Sequence, residues 1–221
     1  MKYFGAGLND NQARKALIIN VKGIRIAFLG YIMKFYPDFH SKRKRAGCPS
    51  YMSYKSKHYY PGVNDIDRTT RFYFKRDIKK IKGKYDIVIV SIHFGKEYMP
   101  FPSEYQKIAA RKAIDAGATL VLGHHPHVIQ KFERYKKGVI FYSLGNLIFP
   151  SYFVDPYSMI AEIRLTNYGI RKIKIHPLVY KNRHDFNLGI DDYVMFMPSI
   201  PRGNWLEGYK YMLKERGMNM I

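Results

Sequence analysis

Cysteine is almost absent from this sequence, because Cys48 is the only one among 221 residues. A single cysteine excludes an internal disulfide framework and any zinc cluster built on cysteines. A metal ion must therefore be held by histidine, aspartate, glutamate or asparagine. Cys48 lies beside a basic run without a strong catalytic partner near it in the sequence, so we interpret it as structural rather than as an activated thiol.

Long apolar runs are also missing. No stretch approaches the roughly 18 to 20 uninterrupted apolar residues of a membrane span, and the amino-terminal part carries charges where a secretory signal needs an apolar run. We therefore expect a soluble chain. Hydrophobic residues still make up 47% of the sequence, which argues against disorder and predicts a packed core.

Acidic residues are scarce, since 17 Asp and Glu stand against 38 Lys and Arg and give a formal net charge of +21. Such an excess predicts attraction to polyanions such as nucleic acid, anionic polymers or membrane surfaces. The cations form two runs, at 42–45 and 75–84, and are otherwise scattered. We interpret them as a solvated face, with a dedicated anion-binding groove as the alternative. Since no nucleic-acid-binding motif is recognisable, we expect no specific nucleic-acid partner.

Phosphate-cradling, dinucleotide-binding and serine-hydrolase motifs are absent as well. What the sequence does contain is a strand, helix, strand pattern. A β-branched run at 86–93 is followed by a helix that opens with the capping box Ser103 and Gln106 and ends at Gly117, and then by an apolar run at 119–122. This pattern predicts a βαβ unit with parallel strands and a right-handed crossover.

The flanking segments predict the rest of an α/β fold. Before the βαβ unit we expect a hairpin at 17–30, a long surface loop at 34–70 and an amphipathic helix at 71–82. After it we expect antiparallel strands and a last helix between Asn204 and Gly217. The predicted antiparallel strands are 128–135, 139–144, 159–166 and 170–180.

The most specific feature is Gly123-His-His-Pro-His127, placed immediately after a buried strand. Neutral imidazole is a common ligand of zinc, manganese and iron. In an extended segment residues i and i+2 point the same way, so His125 and His127 are expected to converge on one site. His124 would then point away and serve a neighbouring ligand or the substrate, although a turn would exchange these roles.

His93 ends the other strand of the βαβ unit. Because the ligand crevice of an open α/β sheet lies beyond the carboxyl ends of its strands, we expect His93 near His125 and His127 and assign all three to a metal. For the remaining histidines we expect structural roles. These are His40, His58, His176 and His184.

Three imidazoles supply no negative charge, whereas a two-ion site generally needs carboxylates or a bridging hydroxide. Glu97 is the nearest carboxylate in sequence, and we assign it with His124 as a candidate catalytic residue. The alternative for Glu97 is a surface residue paired with Lys96. Asn146 follows a strand, and we interpret it as turn-forming, with a hydrogen bond to a ligand as the alternative.

Several segments together resemble the bacterial capsule-synthesis protein CapA family, which is associated with poly-γ-glutamate and related to calcineurin-like metallophosphoesterases. The resemblance runs in order from residue 5 to about 150 and weakens beyond 180. The segments are Ile87–Tyr98, Asp115–Ala118, Gly123–Gln130 and Tyr142–Asn146.

The resemblance implies a metallophosphoesterase-like, four-layer α/β/β/α sandwich with a metal site between its sheets. It implies His93, His125 and His127 as ligands of one or two divalent ions, Mn, Fe or Zn, and leaves the role of His124 open. It also implies a hydrolase-type activity in capsule biosynthesis. The implied partners are poly-γ-glutamate or a phosphate-containing substrate, together with membrane-associated capsule machinery.

The family's early Gly-Asp and Asn-His motifs have no counterpart here, so the chain resembles the carboxyl-terminal two-thirds of such a domain. We expect a partial sandwich over 1–180 and an extension over 181–221 with one helix packed on the same domain. Part of the family's ligand set is then expected to be missing. The alternative function is a non-catalytic basic module that binds an anionic polymer such as polyglutamate.

Overall fold

The computed structural model describes residues 2–32, 73–147, 157–180 and 194–196. Several predicted features lie outside the described residues: the loop at 34–70 with its basic run, Cys48, and the helix between Asn204 and Gly217. The same holds for His40, His58 and His184.

The helices are α1 (Asp10–Ala13), α2 (Tyr73–Ile81) and α3 (Glu104–Ala116). The strands are β1 (Leu17–Val21), β2 (Ile24–Ile32), β3 (Ile87–His93), β4 (Leu120–His124), β5 (Ile129–Tyr135), β6 (Gly138–Leu144), β7 (Tyr157–Thr166), β8 (Gly169–Tyr180) and β9 (Val194–Phe196).

The main sheet has six strands in the order β1-β2-β3-β4-β6-β5. Its four inner strands are parallel, whereas β1 and β5 pair antiparallel at the edges. The structure thus confirms the predicted hairpin at 17–30 and the parallel βαβ unit. It also shows why β5 and β6 have antiparallel character in the sequence although β6 itself joins a parallel sheet: they form a hairpin.

Strand β3 is buried on both faces, as its continuous apolar run predicted. Val88, Val90 and Ile92 face a core shared with the helices, whereas Ile87 and Ile89 face a second core on the other side of the sheet. Alternate side chains of a strand point to opposite faces, so a single run of seven residues supports two cores. Each fully buried aliphatic side chain contributes roughly 1.5 to 3 kcal/mol.

Helices α2 and α3 form the layer on the first face. The capping box that opens α3 is present as predicted, with Ser103 and Gln106 each accepting a backbone hydrogen bond from the other. Helix α2 buries Phe74 and Ile78 completely. The cations of the 75–84 run are exposed except for Lys75, so within α2 and the turn after it they form the solvated face of an amphipathic helix.

The second face of the main sheet is covered by a smaller sheet of β7, β8 and β9. Met159 of β7 and Ile175 of β8 belong to the same buried cluster as Ile89 and Phe141 of the main sheet. A helix layer, a sheet and a second sheet are therefore stacked in the described part of the chain. These are consecutive layers of the predicted partial α/β/β/α sandwich, and the α/β fold class is confirmed.

An ion pair ties the amino-terminal segment to the helix layer. The guanidinium of Arg14 donates two hydrogen bonds of 2.9 Å to the carboxylate of Asp77, which also accepts the hydroxyl of Tyr31 at 3.0 Å. Asp77 is buried, so these donors satisfy a charge that would otherwise be costly.

Among the helices of the described ranges, none is long and apolar enough to cross a bilayer.

Candidate functional site

The candidate site lies where strands β3 and β4 end side by side. The parallel register of the two strands sets His93 directly opposite His124, the last residue of each. Both strands then continue into loops at the same edge of the sheet. Their shared edge brings residues some thirty positions apart in sequence into one place, as the βαβ pattern predicted.

Backbone hydrogen bonds tie these two loops together. The amide of Phe94 donates to the carbonyl of His124 at 2.9 Å, and the amide of Tyr98 donates to the carbonyl of Pro126 at 2.8 Å. Because the two bonds flank Glu97, its loop is fixed against the histidine loop on both sides. Main-chain bonds of this kind reduce the freedom of Glu97 before any ligand arrives.

Backbone strain is concentrated at this edge. His125, His127 and Tyr98 have φ values of 104°, 58° and 59°, whereas the other described non-glycine residues with positive φ are Lys22 and Lys136, both in the turns of β-hairpins. Residues held in this region cost of order 1 to 3 kcal/mol each and cluster at functional sites. Three strained residues in these two adjoining loops therefore support a functional role for this edge of the sheet.

The sequence predicted that His125 and His127 converge because their segment is extended, and that reason is wrong. The segment after β4 is a bend rather than an extended strand, so alternation of side chains does not bring His125 and His127 together. Their ring centroids nevertheless lie 6.0 Å apart, because two residues in left-handed conformations turn the rings toward each other. The two rings therefore do converge, but on a bend after β4 rather than along an extended strand.

Glu97, His125 and His127 form a compact group of ligand atoms. One ligand atom from each lies within 4.8 Å of the other two. His125 is buried, His127 is half-buried and the carboxylate of Glu97 is exposed. Two imidazoles and a carboxylate are a donor set that zinc, manganese and iron accept, so the residues fit a divalent ion.

His93 and His124 end the two strands from which the loops of this group extend. The ring centroid of His93 is 4.7 Å from that of His125, and both His93 and His124 are half-buried at the strand ends. The structure therefore brings together all five residues assigned from the sequence. Their roles at a metal or a substrate remain predictions.

Burial favours the neutral form of three imidazoles of the site, those of His93, His124 and His125. It lowers the pKa of His93 to about 4, with the neighbouring His125 as the second cause. Burial likewise lowers the pKa of His124 and that of His125, where the charge of Glu97 opposes it in part. Neutral imidazole is the form that carries a lone pair for a metal, so burial prepares these rings as ligands.

Asn146 contacts the site, although the sequence favoured a turn-forming role. Its Oδ1 lies 2.8 Å from Nδ1 of His127, and its Nδ2 donates to the carbonyl oxygen of His127 at 3.3 Å. The available sequence signal was its place two residues after strand β6, at the same edge of the sheet. His176, predicted to be structural, contacts Glu162 in the second sheet at 3.2 Å.

A buried pair of amides supports the Glu97 loop, and sequence reasoning missed it. Nε2 of Gln106 donates to Oε1 of Gln130 at 2.9 Å, and Nε2 of Gln130 donates to the carbonyl of Met99 at 2.8 Å. Gln106 and Gln130 are 1% and 0% exposed, so these bonds lie in the interior. The pair anchors the far end of the loop that carries Glu97.

The chain is similar to capsule proteins over most of its length. Residues 1–151 match the family described as bacterial capsule synthesis protein PGA_cap. The capsule biosynthesis protein CapA of Bacillus anthracis is 33% identical over 179 residues, which cover 80% of this chain and 40% of that protein. The PGA biosynthesis protein CapA of Bacillus subtilis (strain 168) is 33% identical over 176 residues, which cover 79% of this chain and 42% of that protein.

A solved structure from Staphylococcus aureus, described as a candidate 5′-nucleotidase in complex with alpha-ketoglutarate, matches with a TM-score of 0.47 and 15% identity. That match covers 85% of this chain and 34% of the other, and at this distance it carries no functional argument. The chain spans 40% and 42% of the length of the two curated relatives. The family match over residues 1–151 shows that this chain belongs to the bacterial capsule synthesis protein family PGA_cap, as its CapA-like segments predicted.

Proposed function

We propose that this chain forms a divalent-metal site of hydrolase type that serves the synthesis of a capsule polymer. The observation that carries the proposal is the grouping of Glu97, His125 and His127, whose ligand atoms lie within 4.8 Å of one another. The group sits at the strand-end edge where open α/β sheets bind ligands. Membership of the capsule family supplies the biological context.

In this proposal His125 and His127 hold the ion. His93, whose ring stands 4.7 Å from that of His125, is the third imidazole of the set. Among the described residues, the group offers enough donors for one ion with open coordination positions. The proposed metal is Mn, Fe or Zn, as one or two ions.

A bound divalent ion supplies Lewis acidity toward a phosphoryl or carbonyl oxygen. The chain's own groups supply the rest. Glu97 contributes the negative charge that the imidazoles lack, and its exposed carboxylate can accept a proton from an attacking nucleophile. His124 lies opposite His93 in the strand register, where we assign it to contact with the substrate.

The proposed substrate is anionic. Poly-γ-glutamate and phosphate-containing compounds both carry negative charge, and the net charge of +21 attracts either to the protein surface. The Bacillus subtilis relative is named as a PGA biosynthesis protein, which favours polyglutamate between the two. The ion held by the site would then polarise an amide or carboxylate oxygen of the polymer.

Metal content tests this proposal. Purified wild-type protein, dialysed against a metal-free buffer after loading with Mn²⁺, Fe²⁺ or Zn²⁺, is expected to retain about one equivalent. The double variant His125→Ala with His127→Ala is expected to retain none. His176→Ala is the matched control, because that histidine lies on the second sheet against Glu162. Equal metal content in the double variant and the wild type would overturn the proposal.

A second candidate function is a non-catalytic basic module that binds an anionic polymer. It is favoured by the exposed cations of α2 and the turn after it, which include Arg76, Lys79, Lys80 and Lys84. Charge-driven binding weakens as salt screens it, because the Debye length falls to about 3 Å at 1 M.

Polyglutamate binding at two salt concentrations separates the two candidates. A basic module is expected to bind polyglutamate tightly in low salt, to lose most of that binding in high salt, and to bind equally well after His125→Ala with His127→Ala. Lys79→Gln with Lys80→Gln is expected to weaken the binding. Affinity that does not respond to salt contradicts the second candidate.

A further inference from the structure

Asn146 makes two hydrogen bonds to a single histidine of the site. Its Nδ2 donates to the backbone carbonyl of His127 at 3.3 Å, and its Oδ1 lies 2.8 Å from Nδ1 of the His127 ring. The two residues are nineteen positions apart in sequence and reach each other because β4 and β6 are neighbours in the sheet. The side-chain amide of Asn146 is therefore hydrogen-bonded to both the main chain and the ring of His127.

These two bonds determine where the proton of the His127 ring lies. A carbonyl oxygen only accepts hydrogen bonds, so the group of Asn146 that faces it must be the amide NH₂. The amide oxygen of Asn146 must then face the ring, and that oxygen can also only accept. Nδ1 of His127 must therefore carry the proton, which places the lone pair of the neutral ring on Nε2.

We propose that Asn146 is a positioning residue that fixes the His127 tautomer and thereby selects Nε2 as the atom offered to a metal. The tautomer stands on the hydrogen bonds alone, whereas its use in metal binding rests on the proposed function. A histidine ligand whose second ring nitrogen donates to an oxygen is held in orientation and tautomer, and loss of that partner typically costs about 10- to 100-fold in metal affinity.

The position of Asn146 is itself well supported. It follows Gly145, whose φ of 77° allows the chain to turn sharply after strand β6. The amide of Gly145 donates to the hydroxyl of Ser143, and Ser158 of the second sheet donates its hydroxyl to the carbonyl of Leu144 at 3.1 Å. Asn146 is therefore presented from a turn fastened to both sheets, which suits a residue that orients another.

The tautomer can be measured without any metal. Two-bond ¹H–¹⁵N correlation spectra of the metal-free protein, recorded above the ordinary histidine pKa of about 6.5, distinguish a ring protonated at Nδ1 from one protonated at Nε2. The signal of His127 is assigned by its disappearance in His127→Gln. We expect the Nδ1-protonated pattern in the wild type and a shift toward Nε2 protonation in Asn146→Leu, which removes both bonds at similar size.

Two further variants sharpen the test. Asn146→Asp keeps an oxygen acceptor beside Nδ1 and is expected to retain the wild-type tautomer. Asn20→Ala, at an exposed position of the edge strand β1, is the matched control and should change nothing at His127. An Nε2-protonated ring in the wild type, or an unchanged pattern in Asn146→Leu, would overturn the proposal.

Metal titration then separates this inference from the proposed function. If both hold, Asn146→Leu binds the metal about 10- to 100-fold more weakly than wild type, while Asn20→Ala binds it equally well. If the wild type shows the expected tautomer but binds no metal, the proposed function fails and the positioning of the ring stands. Full metal affinity in Asn146→Leu despite a shifted tautomer rejects the selection of Nε2.

Discussion

Gly123 packs directly against the carbonyl oxygen of Tyr142, leaving no room for a side chain between strands β4 and β6. The phenyl ring of Phe94 closes the same space from the helix side, 2.7 Å from where a β-carbon would stand. Gly123 precedes the histidines and lies at the close approach of two strands. The glycine of the Gly-His-His-Pro-His segment is therefore required by packing rather than by a turn.

We expect Gly123→Ala to force β4 away from β6 and to displace His124 and His125, which follow it directly. Overpacking of this kind costs typically 1 to 3 kcal/mol, and the variant should also lose metal retention. The free energy of unfolding in urea and the metal content measure the two effects. Gly83→Ala is the comparison, because a β-carbon there meets nothing within 4 Å and the variant carries only the cost of its φ of 79°, roughly 1 kcal/mol. Wild-type stability in Gly123→Ala contradicts this account.

Gly95 offers a second test, at the start of the Glu97 loop. It has a φ of 109°, and a β-carbon on it would lie 2.6 Å from Nε2 of Gln106. Gly169 has a similarly strained φ of 122° but open space around it. Both alanine variants should lose roughly 1 kcal/mol from the backbone conformation, and Gly95→Ala should lose more because it displaces a buried amide. Equal losses in thermal or urea unfolding would show that Gln106 moves aside without cost.

The buried amide pair should control the mobility of the Glu97 loop. Gln130→Leu leaves the carbonyl of Met99 and the amide of Gln106 without their partner, which costs about 1 to 3 kcal/mol. We also expect faster hydrogen exchange at the amide of Tyr98, which bonds to the histidine loop. Gln12→Leu, near the amino terminus, is the exposed control. Unchanged exchange at Tyr98 would show that the loop holds its place without Gln130.

The metal-free protein should lose stability as the pH falls from about 6.5 toward about 4. Burial lowers the pKa of His93 to about 4 in the folded state, against about 6.5 in an unfolded chain. Between these values the unfolded chain binds more protons, so the free energy of unfolding rises with pH. Urea titrations with a chelator present measure the slope, which should be shallower in His93→Asn. Identical slopes in the two proteins would refute the assignment.

Much of this site was predictable because local patterns encode it. The apolar run of β3 predicts burial on both faces, and the capping box at Ser103 fixes where α3 begins. Parallel strands joined by one helix end at the same edge, so the neighbourhood of His93 and His125 follows from topology alone. Each strand and helix is recognised from residues within a few positions of each other, and the short connections of the βαβ unit then bring the strand ends together.

The remainder depended on contacts between distant residues. Asn146 and His127 are nineteen positions apart, and Gln106 and Gln130 are twenty-four apart. Their hydrogen bonds exist only once the sheet has assembled, and no periodic pattern records them. The left-handed conformations of His125 and His127 were missed for a related reason, because tertiary contacts impose them on residue types that do not favour them.

Among the described residues, the side chains assigned to the site and the amide of Asn146 come from one continuous stretch, from β3 through Asn146. A single contiguous gene segment therefore encodes the whole group, so one duplication or fusion event transfers it intact. The same continuity is useful in protein engineering. Grafting that stretch into another parallel sheet would transfer the site histidines, the carboxylate of Glu97 and the amide of Asn146 together.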